Sequence, residues 1–452
     1  MISPTLAASL LALQSPATAA AAPSEMDRAI AAGYKASMLC SGIFNAGRTE
    51  AQVEAVELKG IYREYQPIVD TLKANVDRER GTVSVSYGAG APRIASWVAG
   101  QGCINWPVGW SAAAIAHDRP VPPAGADPRP WPQGDGGIAP KTPASLARAV
   151  AKAFDADGFG AGTRSVGVVV VRDGTVIAER YADGFGPFVS NRTWSVAKSL
   201  AGTMAGIAVH QGAVEPDRPA AIPEWHRDRA DPRAPITLDS LLRMASGLGS
   251  DTAGNRTDAL YFGGVAVTDE ATNWPVAARP GTVYRYANND TLLAMRALRE
   301  AMGDVRYARL PQSLFGPLGM KHTVAETDWR GNYILSSQVW STARDLARFG
   351  MLYLNDGVWN GTRLLPEGWV KYVTTPSGPQ PDDREFGYGA TFWLLNRSPG
   401  VPTDAYAAFG NRGQYVVIVP SRETVIVRRG EDPAGSPFDI AKFTAEVLAA
   451  LK

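Results

Sequence analysis

The apolar positions of this 452-residue chain change period along its length, and each change predicts a different element. Residues 26–79 carry helical spacing, clearest in 51–59, where the apolar side chains share one face. Two short alternating runs follow at 81–87 and 93–99, separated by Gly88-Ala89-Gly90-Ala91-Pro92, and read as strands. Between His117 and Pro143 the pattern stops. Eight prolines and several glycines mark a linker or a segment wrapped on the surface. Beyond it, a helix at 144–154 precedes two strongly apolar strands, 165–171 and 175–181, joined through Asp173-Gly174, a strong hairpin signal. A small-residue, apolar helix then runs from Ser195 to a stop at Gly212. Helical cues dominate the middle at 238–244, 290–302 and 341–355. A second hairpin is predicted from 414–420 and 423–429, and a final amphipathic helix at 438–451. Strands at both ends with helices between imply one antiparallel sheet assembled from distant segments, an α+β fold with a helical subdomain and an N-terminal appendage. The pattern divides the chain into residues 1–22, an appendage at 23–117, a proline-rich linker at 118–143 and a main domain at 144–452.

Composition narrows this picture. Lysine plus arginine (45) balance aspartate plus glutamate (44), and 45% of residues are hydrophobic, as in an ordinary globular protein. No basic face or arginine run points to nucleic acid. Residues 1–22 have the short apolar core and small-residue end of a secretory leader, without a positive start, since no Lys or Arg precedes Arg28. An exported, periplasmic or secreted protein is the expectation. No other stretch is long and apolar enough to span a bilayer. Cys40 and Cys103 are the only cysteines; in an exported chain they would form one disulfide, and otherwise they are two buried thiols.

Candidate chemistry centres on Trp194-Ser195-Val196-Ala197-Lys198-Ser199. Ser195 and Lys198 are one turn apart on a helix face, so an amine is positioned to activate the hydroxyl, a route to an acyl-enzyme. The spacing alone carries little weight, but its setting adds to it. The chain has only ten lysines, and Lys198 is the one lysine between Lys152 and Lys321. It also heads an apolar helix, where burial favours the neutral amine that a base requires. The bland alternative is a snorkelling lysine at a helix end. Tyr286-Ala287-Asn288, just before another apolar helix, places a phenol and an amide on one side of an extended segment, and Asn289 or Asp290 are candidate caps for that helix. Other chemistries lack motifs. There is no Gly-x-Ser-x-Gly elbow, no zinc-protease pattern among the four histidines, and no nucleotide-binding glycine loop. His210 reads as a core or capping residue at its helix end.

These motifs resemble those of the serine β-lactamase and penicillin-binding-protein superfamily, in its class C-like branch. That branch includes family VIII esterases and 6-aminohexanoate-dimer hydrolases. Trp194–Ser199 is similar to the first family motif and Tyr286-Ala287-Asn288 to the second. Pro280-Gly281, the Leu241–Leu248 segment, the Leu314–Met320 segment and the Thr342–Gly350 segment follow in family order. The resemblance covers residues 145–452 and leaves 23–143 outside. It implies a β-lactamase/transpeptidase-like fold and a serine hydrolase without cofactor or metal. Ser195 would be nucleophile, Lys198 proton acceptor, Tyr286 proton shuttle, and Asn288 would orient Lys198 or the substrate. Asn411-Arg412-Gly413 takes the place of the third motif, and the backbone N–H groups of Ser195 and Gln414 would form an oxyanion hole. Asn411 cannot supply the charge that β-lactamases use there for a carboxylate, although an inward-pointing Arg412 would. The resemblance therefore implies cleavage of a small-molecule ester or linear amide before β-lactams, with a β-lactamase or D,D-peptidase, or a silent binding protein of the same fold, as alternatives. Tyr261 falls where this branch places substrate-contacting aromatics. Tyr388 and Trp393 are read as core packing, with cleft lining as the alternative. The number of subunits is left open.

Overall fold

Unbroken apolar runs such as Val168-Val169-Val170-Val171 need a strand covered on both faces, because successive side chains point to opposite sides. The computed structural model, which describes residues 22–110, 112–250, 257–382 and 385–451, supplies both covers. Val168 and Val170 share a cluster with Val417, Ile426, Leu146, Val150, Phe443 and Val447. Val169 and Val171 join a second cluster with Val425, Val427, Leu346 and Phe349. One face is thus covered by the helices Ala144–Lys152 and Ile440–Ala450, the other by Ala343–Leu354 and the helix that follows Ser195.

The sheet has seven antiparallel strands among the described residues, in the spatial order Gly387–Tyr388, Trp393–Leu394, Tyr406–Gly410, Gln414–Val419, Thr424–Gly430, Ser165–Arg172 and Thr175–Tyr181. Its two distant sequence segments meet where Val427 pairs with Val169 and Val425 with Val171. Asp173 (φ 49°) and Gly174 (φ 73°) both take the left-handed conformation that a tight two-residue hairpin turn requires. The helical region between the halves of the sheet includes Leu238–Leu242, Asn288–Met302 and Leu310–Leu318. This is the α+β architecture expected from the pattern. Among the described residues, no helix is long and apolar enough to cross a membrane.

The N-terminal region departs from the helical expectation over 26–79. Helices occupy Glu25–Cys40 and Glu50–Val56, but Ala74–Asp77 is a strand. It pairs with Thr82–Val85 and opens a four-stranded antiparallel meander completed by Arg93–Val98 and Gly102–Asn105. Ala74 and Val76 pack on the core while Asn75 is exposed, a period-two pattern too short to stand out beside the preceding helices. Cys40 and Cys103 are disulfide-bonded, linking the first helix to the last strand of the meander. A link across a sequence separation of 63 restricts the unfolded chain by about 4 kcal/mol in the chain-entropy model. The leader expected at residues 1–22 lies outside the described residues but for Ala22.

The proline-rich segment wraps the main body. Arg348, on the Ala343–Leu354 helix, donates to the carbonyls of Pro132 (2.8 Å) and Gly134 (2.6 Å) and pairs with Asp135 at 2.9 Å. Its guanidinium also lies 4.6 Å from the centre of the Trp131 ring. The N-terminal helix and sheet share one continuous hydrophobic cluster with the serine helix, with Leu39 and Val53 in the same core as Val196 and Leu200.

Candidate active site

Trp194, with φ 51°, turns the chain immediately before the helix Val196–His210, so Ser195 sits at the helix N-terminus. Lys198 lies one turn further on, 1% exposed, while Ser195 keeps partial access to solvent. The lysine Nζ is 2.9 Å from Ser195 Oγ, 2.6 Å from Asn288 Oδ1 and 2.8 Å from the Ser336 carbonyl oxygen. Among the described residues no carboxylate pairs with it. Burial drives its pKa well below the ordinary lysine value, and the nearby Arg192 charge pushes the same way. A neutral amine has two N–H donors and one lone pair. In that form, with Asn288 Oδ1 and the Ser336 carbonyl taking the two donors, the lone pair would face the Ser195 hydroxyl.

Tyr286 and Asn288 come to the same side, as their two-residue spacing predicts. The intervening Ala287 is extended (φ −137°, ψ 138°), and Asn288 opens the helix Asn288–Met302. The Tyr286 ring centre is 5.1 Å from Lys198 Nζ, and the ring packs on Trp393. The caps expected from Asn289 and Asp290 do not form. Asp290 instead accepts from Ser246 Oγ at 2.7 Å, and Asn289 donates to the Ala271 carbonyl. Both side chains are drawn into tertiary contacts that local sequence does not specify.

Ser195 opens into a cavity of 390 Å³ lined by Tyr261, Tyr286, Asn288, Asn411 and Tyr62, among others. Tyr261 is buried and its hydroxyl is 2.6 Å from Ser336 Oγ, so it also steadies the residue whose carbonyl holds Lys198. Burial raises the Tyr261 pKa, keeping the phenol protonated. Trp393 lines the cavity despite being mostly buried, so it both packs and borders the cleft; Tyr388 lies behind it in the core.

The third-motif segment splits. Gly410 ends its strand directly against the serine turn: a β-carbon there would lie 2.3 Å from the Thr193 carbonyl oxygen and 3.2 Å from the Ser195 nitrogen. Asn411 follows it into the cleft. The next three residues turn away, correcting the substrate-facing positions expected of them. The Arg412 guanidinium donates to the carbonyls of Glu57 (3.0 Å), Val56 (3.1 Å) and Lys59 (2.7 Å) in the N-terminal region, and pairs with Glu431. Gly413 backs onto Arg428 and Asp432. Gln414 is fully buried; its side chain bonds the Arg412 and Gly430 carbonyls and accepts from Arg429. The reason is geometric: Gln414 is paired opposite Gly410 on the neighbouring strand, one strand further from Ser195.

Motif reasoning missed Ser336, Ser337, Phe409 and Tyr62. Ser336 acts through its carbonyl, which carries no residue-type signal. Tyr62 sits in Gly60-Ile61-Tyr62-Arg63-Glu64-Tyr65, outside every motif, and reaches the cleft only through tertiary packing.

The site is thus an amine-backed serine at a helix N-terminus, beside the end of a strand of the antiparallel sheet. The chain belongs to the Beta-lactamase family, whose model matches residues 147–449. It is 26% identical over 299 residues to the 6-aminohexanoate-dimer hydrolase of Paenarthrobacter ureafaciens, covering 59% of this chain and 72% of that protein. Its fold is similar to that of a penicillin-binding-protein homologue from Caulobacter crescentus (TM-score 0.54, 18% identity, 68% of this chain and 98% of the other). It is also similar to a class C β-lactamase (TM-score 0.52, 14% identity, 68% and 96%). Among the described residues, no group of three or more His, Cys, Asp or Glu is placed to hold a metal ion.

Proposed function

We propose that this β-lactamase-family hydrolase cleaves esters or linear amides of small molecules through an acyl-enzyme on Ser195. The observation that carries the reading is the Lys198 amine, buried, without an acidic partner, 2.9 Å from Ser195 Oγ with its two other contacts already acceptors. Lys198 takes the Ser195 proton as Oγ attacks the carbonyl carbon. The oxyanion is held by the backbone N–H of Ser195 and of Asn411, a choice supported by the close approach of Gly410 to the Ser195 nitrogen. Tyr286, over the lysine, passes the proton to the departing alkoxide or amine, and water then releases the acyl group with the roles reversed. Arg412 is spent on N-terminal carbonyls, so it is not offered to a β-lactam carboxylate, which favours esters and linear amides. The disulfide supports an exported protein, with residues 1–22 as leader, 23–117 as appendage and 118–143 as the wrapping connection to the hydrolase domain.

The test is a side-by-side assay of nitrocefin, a p-nitrophenyl ester and a linear aminohexanoate dimer, with Ser195→Ala as control. Turnover of the ester or the dimer, absent in the control, is expected. Preferred cleavage of nitrocefin would overturn the substrate reading, and inertness toward all three would favour a silent binding protein.

A further inference from the structure

The region outside the family match reaches the reactive serine. Tyr62 borders the same cavity as Ser195, facing a wall built largely from the rings of Tyr261, Tyr286, Trp393 and Phe409. Among the described residues lining that cavity there is no Asp, Glu, Lys or Arg. A ring-lined space of 390 Å³, near the small end of ligand pockets, suits a compact group.

Tyr62 is not on a helix or strand, so its place depends on what grips the surrounding turn. That grip comes from the hydrolase domain. Arg412, next to cleft residue Asn411, bonds the carbonyls of Val56, Glu57 and Lys59; the Ala434 N–H donates to the Gly60 carbonyl at 3.0 Å; and Tyr65 donates to Asp258 at 2.9 Å. In the other direction, Arg93 and Asn105 of the N-terminal sheet donate to the Phe262 carbonyl at 2.7 and 3.0 Å, fixing the backbone beside Tyr261.

We propose that the N-terminal region completes the substrate site, with Tyr62 as a specificity-determining wall that restricts the cleft to substrates carrying a short or compact acyl group. This rests on Ser195 being the nucleophile, and the test keeps the two claims apart. The full-length protein is inactivated with ethyl and octyl p-nitrophenyl phosphonates, in which serine Oγ displaces p-nitrophenolate at phosphorus, and the adduct is located by mass spectrometry. The intact protein should favour the ethyl probe. Tyr62→Ala should raise the octyl-to-ethyl rate ratio by about tenfold, the scale on which a pocket senses a methylene or two. Tyr62→Phe should preserve the ratio, because the ring forms the wall, and Tyr62→Trp should lower it, an independent readout if the alanine variant fails to fold. A ratio unmoved by both Ala and Trp overturns the proposal. No adduct on Ser195 with either probe overturns the nucleophile reading instead.

Discussion

The family-matched region at 147–449 and the N-terminal region build the same cleft by opposite means. In the first, chemistry depends on local spacing: Ser195 and Lys198 share one helix turn, and Tyr286 and Asn288 straddle one extended residue. In the second, nothing is local. Arg412 reaches Glu57 across 355 residues, and Ser41 reaches Glu326 across 285. On the proposed reading, the matched region supplies the reacting groups, and the N-terminal region supplies a wall and the clamps that hold it. Changes in the two should therefore fail differently, the first in rate at constant fold and the second in selectivity or stability.

The sharpest break in that contrast is Lys198→Arg. Arginine stays protonated and cannot take the serine proton, so kcat/KM should fall ~10²–10⁴-fold, the usual worth of a general base. Retained activity would remove Lys198 from the mechanism. Next is Gly410→Ala. Its β-carbon would collide with the Thr193 carbonyl oxygen and displace the Ser195 backbone from Asn411, so kcat should fall ~10²–10³-fold, as for a lost oxyanion donor. An unaffected kcat would separate the oxyanion site from this strand end.

The smallest expected effect lies on the seam. Glu326 is buried, accepts from Ser41, Asn45 and the Cys103 N–H on one oxygen, and burial raises its pKa from 4.5 to about 7. The folded protein then holds this proton where the unfolded chain has released it. The group's contribution to stability is therefore full below pH 4.5 and declines up to about pH 7, and the penalty persists above. Glu326→Gln keeps the acceptor and removes the charge. It should stabilise the protein by about 1–3 kcal/mol at pH 8, have little effect at pH 4, and leave kcat unaltered. Equal effects at both pH values in a denaturant melt would contradict the assignment.

What was legible in the sequence follows the same division. The strands around Asp173-Gly174, the serine helix and the Tyr286/Asn288 pairing are encoded by neighbours, and the structure reproduces them. Arg412 is the instructive miss. Sequence places a cation beside the cleft, but its direction is set by carbonyls of Val56, Glu57 and Lys59, which any residue would present. Gln414 fails for a related reason: counting along the chain gives adjacency to the motif but not which of two paired strands faces the serine. The short strands Gly387–Tyr388 and Trp393–Leu394 carry too few residues for a period to register, yet they bring Trp393 to the cleft.

The central claim, that a neutral Lys198 activates Ser195, is tested most directly by the pH dependence of single-adduct formation. Intact-protein mass spectrometry would follow phosphonylation of the wild-type chain and of Ser195→Ala. Because burial lowers the lysine pKa, the amine becomes a base as pH rises through that lowered value, so the rate should climb with pH and reach its plateau below the pH at which an ordinary lysine deprotonates. One adduct should map to Ser195, and the alanine variant should form none. A pH-independent rate, or an equal adduct in Ser195→Ala, would contradict it.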